Sequence, residues 1–196
     1  MTSTPAETRP VRRSDRVVLR YPRPEDGPEY LRLRRVNTAF LAPWEPLAAA
    51  GVDPYAPAAF TALLTRAKTD RRHGLLVTTT RDEAIIGAMN FNEIVGGCFG
   101  SCYLGYWLGE AFVGQGYMTD ALRLGLDFAF TDLGLHRVEA NIMPRNTPSV
   151  SLVTRLGFSL EGLSTGYLRI AGQWEDHARW ALTQEAWRQG GAAQGQ

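Results

Sequence analysis

The chain has 196 residues, of which 44% are hydrophobic and 21% are charged, and its formal net charge is +1. These fractions are ordinary for a globular protein and exclude a disordered, collagenous or fibrous chain. The near-neutral charge gives no sign of a nucleic-acid or anionic membrane partner, and no apolar run reaches the ~18–20 residues of a membrane span. We therefore expect one cytoplasmic domain with neither partner.

The ends of the chain, its cysteines and its possible metal ligands give further expectations about domain bounds, disulfides and metal sites. Residues 1–15 are polar without the apolar segment of a secretory signal, so they predict a mobile leader, followed by one domain over 16–188 and a flexible tail over 189–196. The two cysteines, Cys98 and Cys102, lie too far apart on one extended stretch to pair, and we expect both to be small packed residues. Because no His, Cys, Asp or Glu residues have metal-ligand spacing, we expect no metal.

The first half of the chain alternates strand-like and helix-like segments. In chain order, the patterns predict a strand over 17–21, a helix over 25–35, a long irregular loop over 36–56 rich in proline and glycine, a helix from Pro57 that stops at Gly74, and strands over 75–80 and 84–91. Loops as long as 36–56 are usually functional in compact domains.

The second half predicts a strand over 101–108, a loop over 109–116, an amphipathic helix, a strand over 137–143, a short helix after Pro148, and strands over 158–170 and 174–182. Hairpins are thus mixed with two helical crossovers. This order indicates an α+β fold: a mixed, mostly antiparallel central sheet of about seven strands with helices on both faces.

The segment Val113-Gly114-Gln115-Gly116 lies between a predicted strand and a predicted helix. Two glycines one residue apart let main-chain N–H groups point outward and add to the positive end of the helix dipole, which suits a pyrophosphate. A tight turn that requires a positive φ explains the same glycines. A P-loop and a Rossmann fingerprint are excluded, because Gly-Lys-Ser/Thr is absent and Thr119 stands in place of the third glycine.

A second segment runs from Asn141 through Asn146 to Ser149, at the start of the short helix. In a purely structural interpretation, Asn146 caps that helix and Ser149 is an ordinary first-turn residue. In the functional interpretation, Asn146 and Ser149 meet near the end of a cofactor that lies between two strands.

Together these segments resemble the GCN5-related N-acetyltransferase (GNAT) superfamily, whose cofactor loop is Gln/Arg-x-x-Gly-x-Gly/Ala. Ala111 replaces the usual Gln or Arg of that loop. The wider match is to ribosomal-protein alanine N-acetyltransferases of the RimJ/RimL type, and it spans roughly residues 14–186. It is carried by segments that begin at Asn37, Gly105, Asn141, Arg155 and Gly172.

The resemblance implies that acetyl-CoA lies in a V-shaped gap between splayed fourth and fifth strands, here 101–108 and 137–143. Main-chain groups of Tyr106, Trp107 and Leu108 would bind the pantetheine arm and polarise the thioester carbonyl. Amides of the loop and helix start would bind the pyrophosphate, namely Val113, Gly114, Gln115, Gly116, Tyr117 and Met118. Asn141 and Asn146 would bind the end of the pantetheine arm.

The resemblance also implies direct attack of an amine on the thioester, with no covalent enzyme intermediate. Many superfamily members protonate the leaving thiolate with a tyrosine, but Val153 occupies that place, so Ser149 is the expected donor. Glu93 and Glu139 are the candidates for a general base, with a surface position as the alternative for each. We expect His136 to be structural, and Trp44 and Glu45 to wall the acceptor side, with Glu45 facing a cationic peptide terminus.

The expected activity is therefore transfer of an acetyl group from acetyl-CoA to the N-terminal alanine of a ribosomal protein. Two alternatives stay open at this point: acetylation of a small amine such as an antibiotic or polyamine, and a non-catalytic acyl-CoA-binding regulatory domain. The sequence leaves open whether the chain forms a homodimer.

Overall fold

The computed structural model describes residues 10–193, and the side chains of residues 10–190. In this part of the chain, six α-helices surround one sheet of nine strands. The strands are β1 (Arg12–Arg13), β2 (Val17–Arg20), β3 (Lys68–Thr69), β4 (Arg72–Thr79), β5 (Ile85–Val95), β6 (Ser101–Leu108), β7 (Arg137–Ile142), β8 (Ser159–Ile170) and β9 (Gln173–Thr183). The helices are α1 (Gly27–Val36), α2 (Thr38–Leu41), α3 (Pro57–Thr65), α4 (Tyr117–Asp127), α5 (Thr147–Arg155) and α6 (Gln184–Ala193).

The sheet is mixed and mostly antiparallel, as the sequence predicts. Its strand order is β1-β2-β4-β5-β6-β7-β9-β8, with β3 paired beside β4. Only β6 and β7 run parallel, because α4 lies between them in the chain and returns it to the same edge. All the other pairs are antiparallel.

Alternate residues of each strand supply the cores on the two faces of the sheet. In β4, Leu75 and Val77 pack in the large core that contains Leu122 of α4, whereas Leu76 packs with Leu33 of α1. This two-residue alternation is the geometry of a strand that is covered on both faces. The helices therefore lie on both faces, which confirms the predicted layers.

The pairing of β6 with β7 is short. The two strands are in register at Ser101–Arg137, Cys102–Val138 and Tyr103–Glu139, and β6 then continues to Leu108 without a described partner on that side. Each strand stays paired on its other side, β6 with β5 as far as Leu108 and β7 with β9 as far as Ile142. Because the outer neighbours hold both strands, a wedge-shaped gap opens between them after Tyr103. This is the predicted splay of the fourth and fifth strands, which are β6 and β7 here.

Several boundaries differ from the predictions. The strand count rises to nine because β1 and β3, two residues each, pair with β2 and β4. The helix that was expected to stop at Gly74 ends at Thr65, and Gly74 lies inside β4, opposite Asn90. Here sheet pairing outweighs the usual role of glycine as a helix terminator. The expected loop over 36–56 contains α2 and a 3₁₀ turn over Ala42–Trp44.

The ends of the chain also differ. Arg12 and Arg13, within the expected leader, pair with β2, and helix α6 extends to Ala193 through most of the expected tail. Arg12 and Arg13 pair with nearby residues of β2, but a two-residue strand is too short to show a sequence pattern. The side chains of Gln184 and Trp187 in α6 hydrogen-bond to Phe130 and Asp127, which are distant in the sequence. Residues 1–9 and 194–196 of the predicted leader and tail lie outside the described residues. Among the helices of residues 10–193, none has the length and apolar character to cross a bilayer.

A glycine keeps β5 close to β6 beside the gap. A Cβ atom added at Gly87 would lie 2.2 Å from the carbonyl oxygen of Trp107. We predict that Gly87→Ala lowers the free energy of unfolding by about 1–3 kcal/mol, because the new methyl group meets the backbone of the next strand. Urea denaturation measures this change.

Gly96→Ala is the matched control, since a Cβ atom at Gly96 would meet nothing within 4 Å. A Gly87→Ala protein as stable as the Gly96→Ala protein would show that β6 does not approach β5 in this way.

Candidate functional site

The gap between β6 and β7 exposes main-chain hydrogen-bonding groups. The N–H of Gly109 donates to the carbonyl of Ile86 in β5 at 2.9 Å. Main-chain groups alternate in direction along a strand, so those of Tyr106 and Leu108 face the opposite side, towards the gap. A linear ligand that lies in the gap can bind these groups as a third strand would. Trp107 points its main chain to β5 instead, and only its side chain is free to contact a ligand.

The glycine loop leads into the N-terminus of α4. Gly114 and Gly116 have φ values of 78° and 84°, in the left-handed region that favours glycine. A Cβ atom at Gly114 would meet nothing within 4 Å, so backbone conformation rather than space requires glycine there. The side chain of Gln115 folds back and donates to the carbonyl of Ala111 at 2.7 Å. The loop therefore leaves the first N–H groups of α4 accessible to an anion.

Arg16, just before β2, reaches this loop from elsewhere in the sequence. Its guanidinium donates to the carbonyl of Gln115 at 2.7 Å, lies 4.6 Å from the ring centre of Tyr117, and is 3.4 Å from the carboxylate of Asp120. Asp120 lies in the first turn of α4, where its negative charge would repel an anion. Arg16 balances that charge and fixes the carbonyl of Gln115.

A hydrogen bond joins β6 to the start of α5. The hydroxyl groups of Tyr106 and Ser149 are 2.6 Å apart. Burial raises the pKa of Tyr106 to about 12, so the phenol keeps its proton at neutral pH. Asn146 caps α5 by accepting a hydrogen bond from the N–H of Ser149 at 3.3 Å, which is the structural role considered for it above. The Ser149 hydroxyl thus lies in the first turn of a nine-residue helix, near the positive end of its dipole.

Polar residues of β7 line the other side of the gap. The side chain of Glu139 is 12% exposed and accepts a hydrogen bond from Arg137 at 3.0 Å, at the last parallel pair before the strands part. Further along β7, the amide nitrogen of Asn141 lies 3.5 Å from the Tyr167 hydroxyl. The Oδ1 atom of Asn141 is buried without a hydrogen-bond partner in the described residues. This acceptor suits a ligand that supplies an N–H group.

Glu93 lies elsewhere. It occupies a bulge of β5 between Asn92 and Val95, opposite the start of β6, and it forms an ion pair with Arg71. Its side chain is 60% exposed. The bulge begins after Asn92, which pairs with Tyr103 of β6. Tyr106 lies three positions further along β6 than Tyr103, or ~10 Å away. The structure brings Ser149, Tyr106 and Asn146 together, and places Glu139 and Asn141 on the facing strand, but leaves Glu93 apart.

The acceptor-side expectations change in part. Glu45 binds both terminal nitrogens of Arg34, at 2.7 and 2.6 Å, so its carboxylate is already paired rather than free for a cationic terminus. Trp44 lies 5.0 Å from the guanidinium of Arg145. Of the two cysteines, Cys102 is buried as expected, but Cys98 is exposed, because it lies in a glycine-rich turn rather than in the core.

His136 lies 3.5 Å from the carboxylate of Glu185 in α6, and both side chains are exposed. This contact joins the chain just before β7 to a helix that the sequence patterns did not predict. It fits the structural role that was expected for His136.

Sequence reasoning missed three features of the site. Arg16 and the Tyr167 hydroxyl are brought in by distant segments, and no local pattern marks them. For Tyr106 the sequence predicted a role of the main chain alone. Strand alternation places its side chain on the face of the sheet that α4 covers, and the side chain of Trp107 on the other face. That alternation was the one signal in the sequence that could have pointed to Tyr106.

Comparisons with known proteins agree with this geometry. The family model of the acetyltransferase (GNAT) domain matches residues 16–159. The ribosomal protein uS5-alanine N-acetyltransferase of Escherichia coli (strain K12) is 35% identical over 181 residues, which cover 90% of this chain and 92% of that relative.

Two solved structures extend the likeness to three dimensions. Mycobacterium smegmatis RimJ in complex with CoA-disulfide is 33% identical, with a TM-score of 0.81, over 90% of this chain and 88% of that one. The ribosomal-protein-S5-alanine acetyltransferase of Vibrio fischeri is 28% identical, with a TM-score of 0.78, over 87% of this chain and 94% of that one.

The pKa of Tyr106 gives a pH-dependent prediction. A phenol with a raised pKa in the folded state stabilises the fold fully below the ordinary value of ~10, and that contribution is lost as the pH rises through the folded value. We expect the wild type to lose about 2 kcal/mol more of its free energy of unfolding than Tyr106→Phe between about pH 10 and about pH 12.

Urea denaturation across this range measures the loss. The buried thiol of Cys102, whose pKa burial also raises to about 12, contributes equally to both proteins and cancels. Parallel curves for the two proteins would mean that Tyr106 is accessible to water.

Proposed function

Since the chain belongs to the GNAT acetyltransferase family and catalyses acyl-CoA-dependent transfer, we propose that its acceptor is the N-terminal α-amino group of a ribosomal protein that begins with alanine. The observation that carries the chemistry is the Tyr106–Ser149 hydrogen bond at the helix start beside the gap. The E. coli relative, which is named for its action on ribosomal protein uS5, supports this acceptor, since this chain matches it over nearly its full length. The reaction would take place in the cytoplasm.

The residues present fit acetyl-CoA. The main-chain groups of Tyr106 and Leu108 and the orphaned acceptor of Asn141 match the amide groups of a pantetheine arm. The N–H groups from Gly114 to Met118, together with Arg16, match a diphosphate. The N–H of Val113, which was also expected to bind it, already donates to the carbonyl of Glu110 at 3.1 Å. The Oδ1 atom of Asn146 accepts the capping hydrogen bond, and its amide N–H groups stay available for the pantetheine end. When bound, acetyl-CoA supplies an activated thioester.

Ser149 is the proposed donor to the leaving sulfur. In the proposed arrangement Tyr106 donates the hydrogen bond that joins the two hydroxyl groups 2.6 Å apart, which leaves the proton of Ser149 free to point into the gap. The start of α5 adds a partial positive charge, which favours a thiolate. Tyr106 is in this scheme a positioning residue, because it acts on Ser149 rather than on the sulfur.

The amine must be neutral when it attacks. An α-amino group has a pKa of ~7.7–8.0, against ~10.4 for lysine, so a useful fraction of it is neutral near pH 7 without a strong base. Glu139, next to the opening of the gap, is the proposed site for holding a water that takes up the proton. Its hydrogen bond with Arg137 fixes the orientation of the carboxylate, which suits it to orienting that water.

The acceptor class can be tested directly. Purified protein is incubated with acetyl-CoA and an alanine-initiated peptide, the same peptide with a blocked α-amine, an aminoglycoside or polyamine panel, or no acceptor, and free thiol is followed. Release with the peptide alone, abolished by the block, supports the proposal. Release only with a small amine would establish the first alternative, and tight CoA binding without any release would establish the non-catalytic one.

Ser149→Ala is expected to lower kcat by about 10- to 100-fold with less than a twofold change in CoA affinity, because it removes only the donor to the leaving sulfur. Tyr106→Phe should lower kcat by a smaller factor, again with CoA affinity unchanged. Steady-state kinetics and calorimetric titration with CoA measure both.

Ser151→Ala is the matched control, an exposed serine on another face of the same helix. Unchanged kcat in Ser149→Ala would remove the hydroxyl from the reaction. A CoA affinity that falls in parallel with kcat would assign it to binding instead.

Arg16→Ala is expected to weaken CoA binding by about tenfold, because it leaves Asp120 unbalanced beside the diphosphate site. Adding Asp120→Asn to that variant should recover part of the loss. Calorimetry with CoA measures both effects, and Arg32→Ala on the exposed face of α1 controls for the loss of one positive charge. If the Arg16→Ala protein binds CoA as tightly as the Arg32→Ala control, the diphosphate lies elsewhere.

A further inference from the structure

A cavity of about 290 Å³ lies on the face of the sheet away from Ser149. It is bounded by α1, α3 and the segment before α3, and its floor is formed by β4, β5 and β6. Trp107 of β6 forms one wall, between the two residues whose main chains face the gap. The cavity and the proposed cofactor site therefore share a strand. At this volume, near the lower end for ligand pockets, it accommodates a side chain or two rather than a second cofactor.

The charge of this cavity is uneven. Arg34, Arg66 and Arg72 line it, and among the side chains of residues 10–190 Glu45 is the only carboxylate that does so. Glu45 is fully engaged by both terminal nitrogens of Arg34, which also lies 4.9 Å from the ring centre of Trp107. The charges of Arg34 and Glu45 therefore neutralise each other, and their two hydrogen bonds fix the shape of one wall of the cavity. The net charge that remains in the cavity is that of the other two arginines.

Arg66 and Arg72 lie near each other, and no Asp or Glu side chain of the described residues pairs with either of them. Arg66 donates to the carbonyl of Ala62, and Arg72 donates to the side chain of Asn90 at 2.8 Å. In residues 10–193 neither forms an ion pair, and the Nε atom of Arg72 is buried without a hydrogen-bond partner. Burial and the nearby charge of Arg66 lower the pKa of Arg72. Two like charges side by side and a buried N–H group without an acceptor both cost folding free energy. A bound anion would lower the cost of the paired positive charges.

We propose that this cavity binds the carboxylate of an acidic side chain near the N-terminus of the acceptor peptide, with Arg66 and Arg72 as its ligands. A carboxylate matches the planar fork of a guanidinium, and the two arginines that line the cavity supply the opposite charge. The acceptor chain would run from the gap past Trp107 into the cavity. This inference rests on the proposed function, since it names the sequence feature that the same site selects. It also disfavours polyamines and aminoglycosides, whose positive charges the two arginines repel.

The test uses alanine-initiated peptides that carry one glutamate at the second, third or fourth position, each beside its glutamine counterpart. Binding of their N-acetylated forms to CoA-loaded protein is measured by calorimetry, so that the result does not depend on turnover. We expect one glutamate position to bind about tenfold tighter than its glutamine counterpart, and the preference to shrink at high salt.

Arg72→Gln should abolish that preference, and Arg66→Gln, at an exposed position that tolerates substitution, should reduce it. Arg81→Gln, in the exposed turn between β4 and β5, is the matched charge control and should keep it. CoA affinity reports that each variant is folded. Equal binding of glutamate and glutamine peptides at every position would overturn the inference, as would a preference that survives both Arg66→Gln and Arg72→Gln.

Thiol release with the same peptides separates the two proposals. Release with glutamate and glutamine peptides at equal efficiency would leave the N-terminal acetyltransferase activity intact and refute only the role of the cavity. A glutamate preference in binding without thiol release from any peptide would refute the activity and retain the cavity as a carboxylate site.

Discussion

The early parting of β6 and β7 is the constraint on which the site depends. The two strands pair over three residues and are then drawn apart, because each continues its ladder with a different outer neighbour, β5 or β9. An unpaired strand edge inside a sheet would ordinarily be a liability, since its N–H and C=O groups seek partners. In an acyl-CoA-dependent transferase the amides of the pantetheine arm are suitable partners. We propose that the fold obtains its cofactor site in this way, by leaving its own sheet incomplete.

The two faces of β6 divide the work of this site. Alternation places Tyr106 towards α4 and α5, where it meets Ser149, and Trp107 towards α1 and α3, where it borders the arginine-lined cavity. The proposed donor to the leaving sulfur and the proposed acceptor surface therefore approach the gap from opposite sides. This separation keeps the charges of the acceptor side away from the partly buried pair of hydroxyl groups.

Arginines do much of the electrostatic work in this chain, by different means. Arg16 balances Asp120 beside the glycine loop, Arg34 forms an ion pair with Glu45, and Arg72 retains an unused donor. Their scattered positions in the sequence give no basic patch. Their roles differ because each guanidinium meets a different set of neighbours after folding.

The sequence by itself determined the α+β layers, the mostly antiparallel sheet, the glycine loop before α4 and the cap of α5. Strand and helix periodicities and the conformational preferences of Gly116 and Asn146 are local properties that neighbouring residues express. Only the tertiary structure decided where Gly74 lies, that Arg16 reaches the loop, that Tyr106 meets Ser149, and that Glu93 lies apart from that pair. Each of these outcomes depends on which distant segments become neighbours, because strand pairing brings together residues tens of positions apart and overrides local preference.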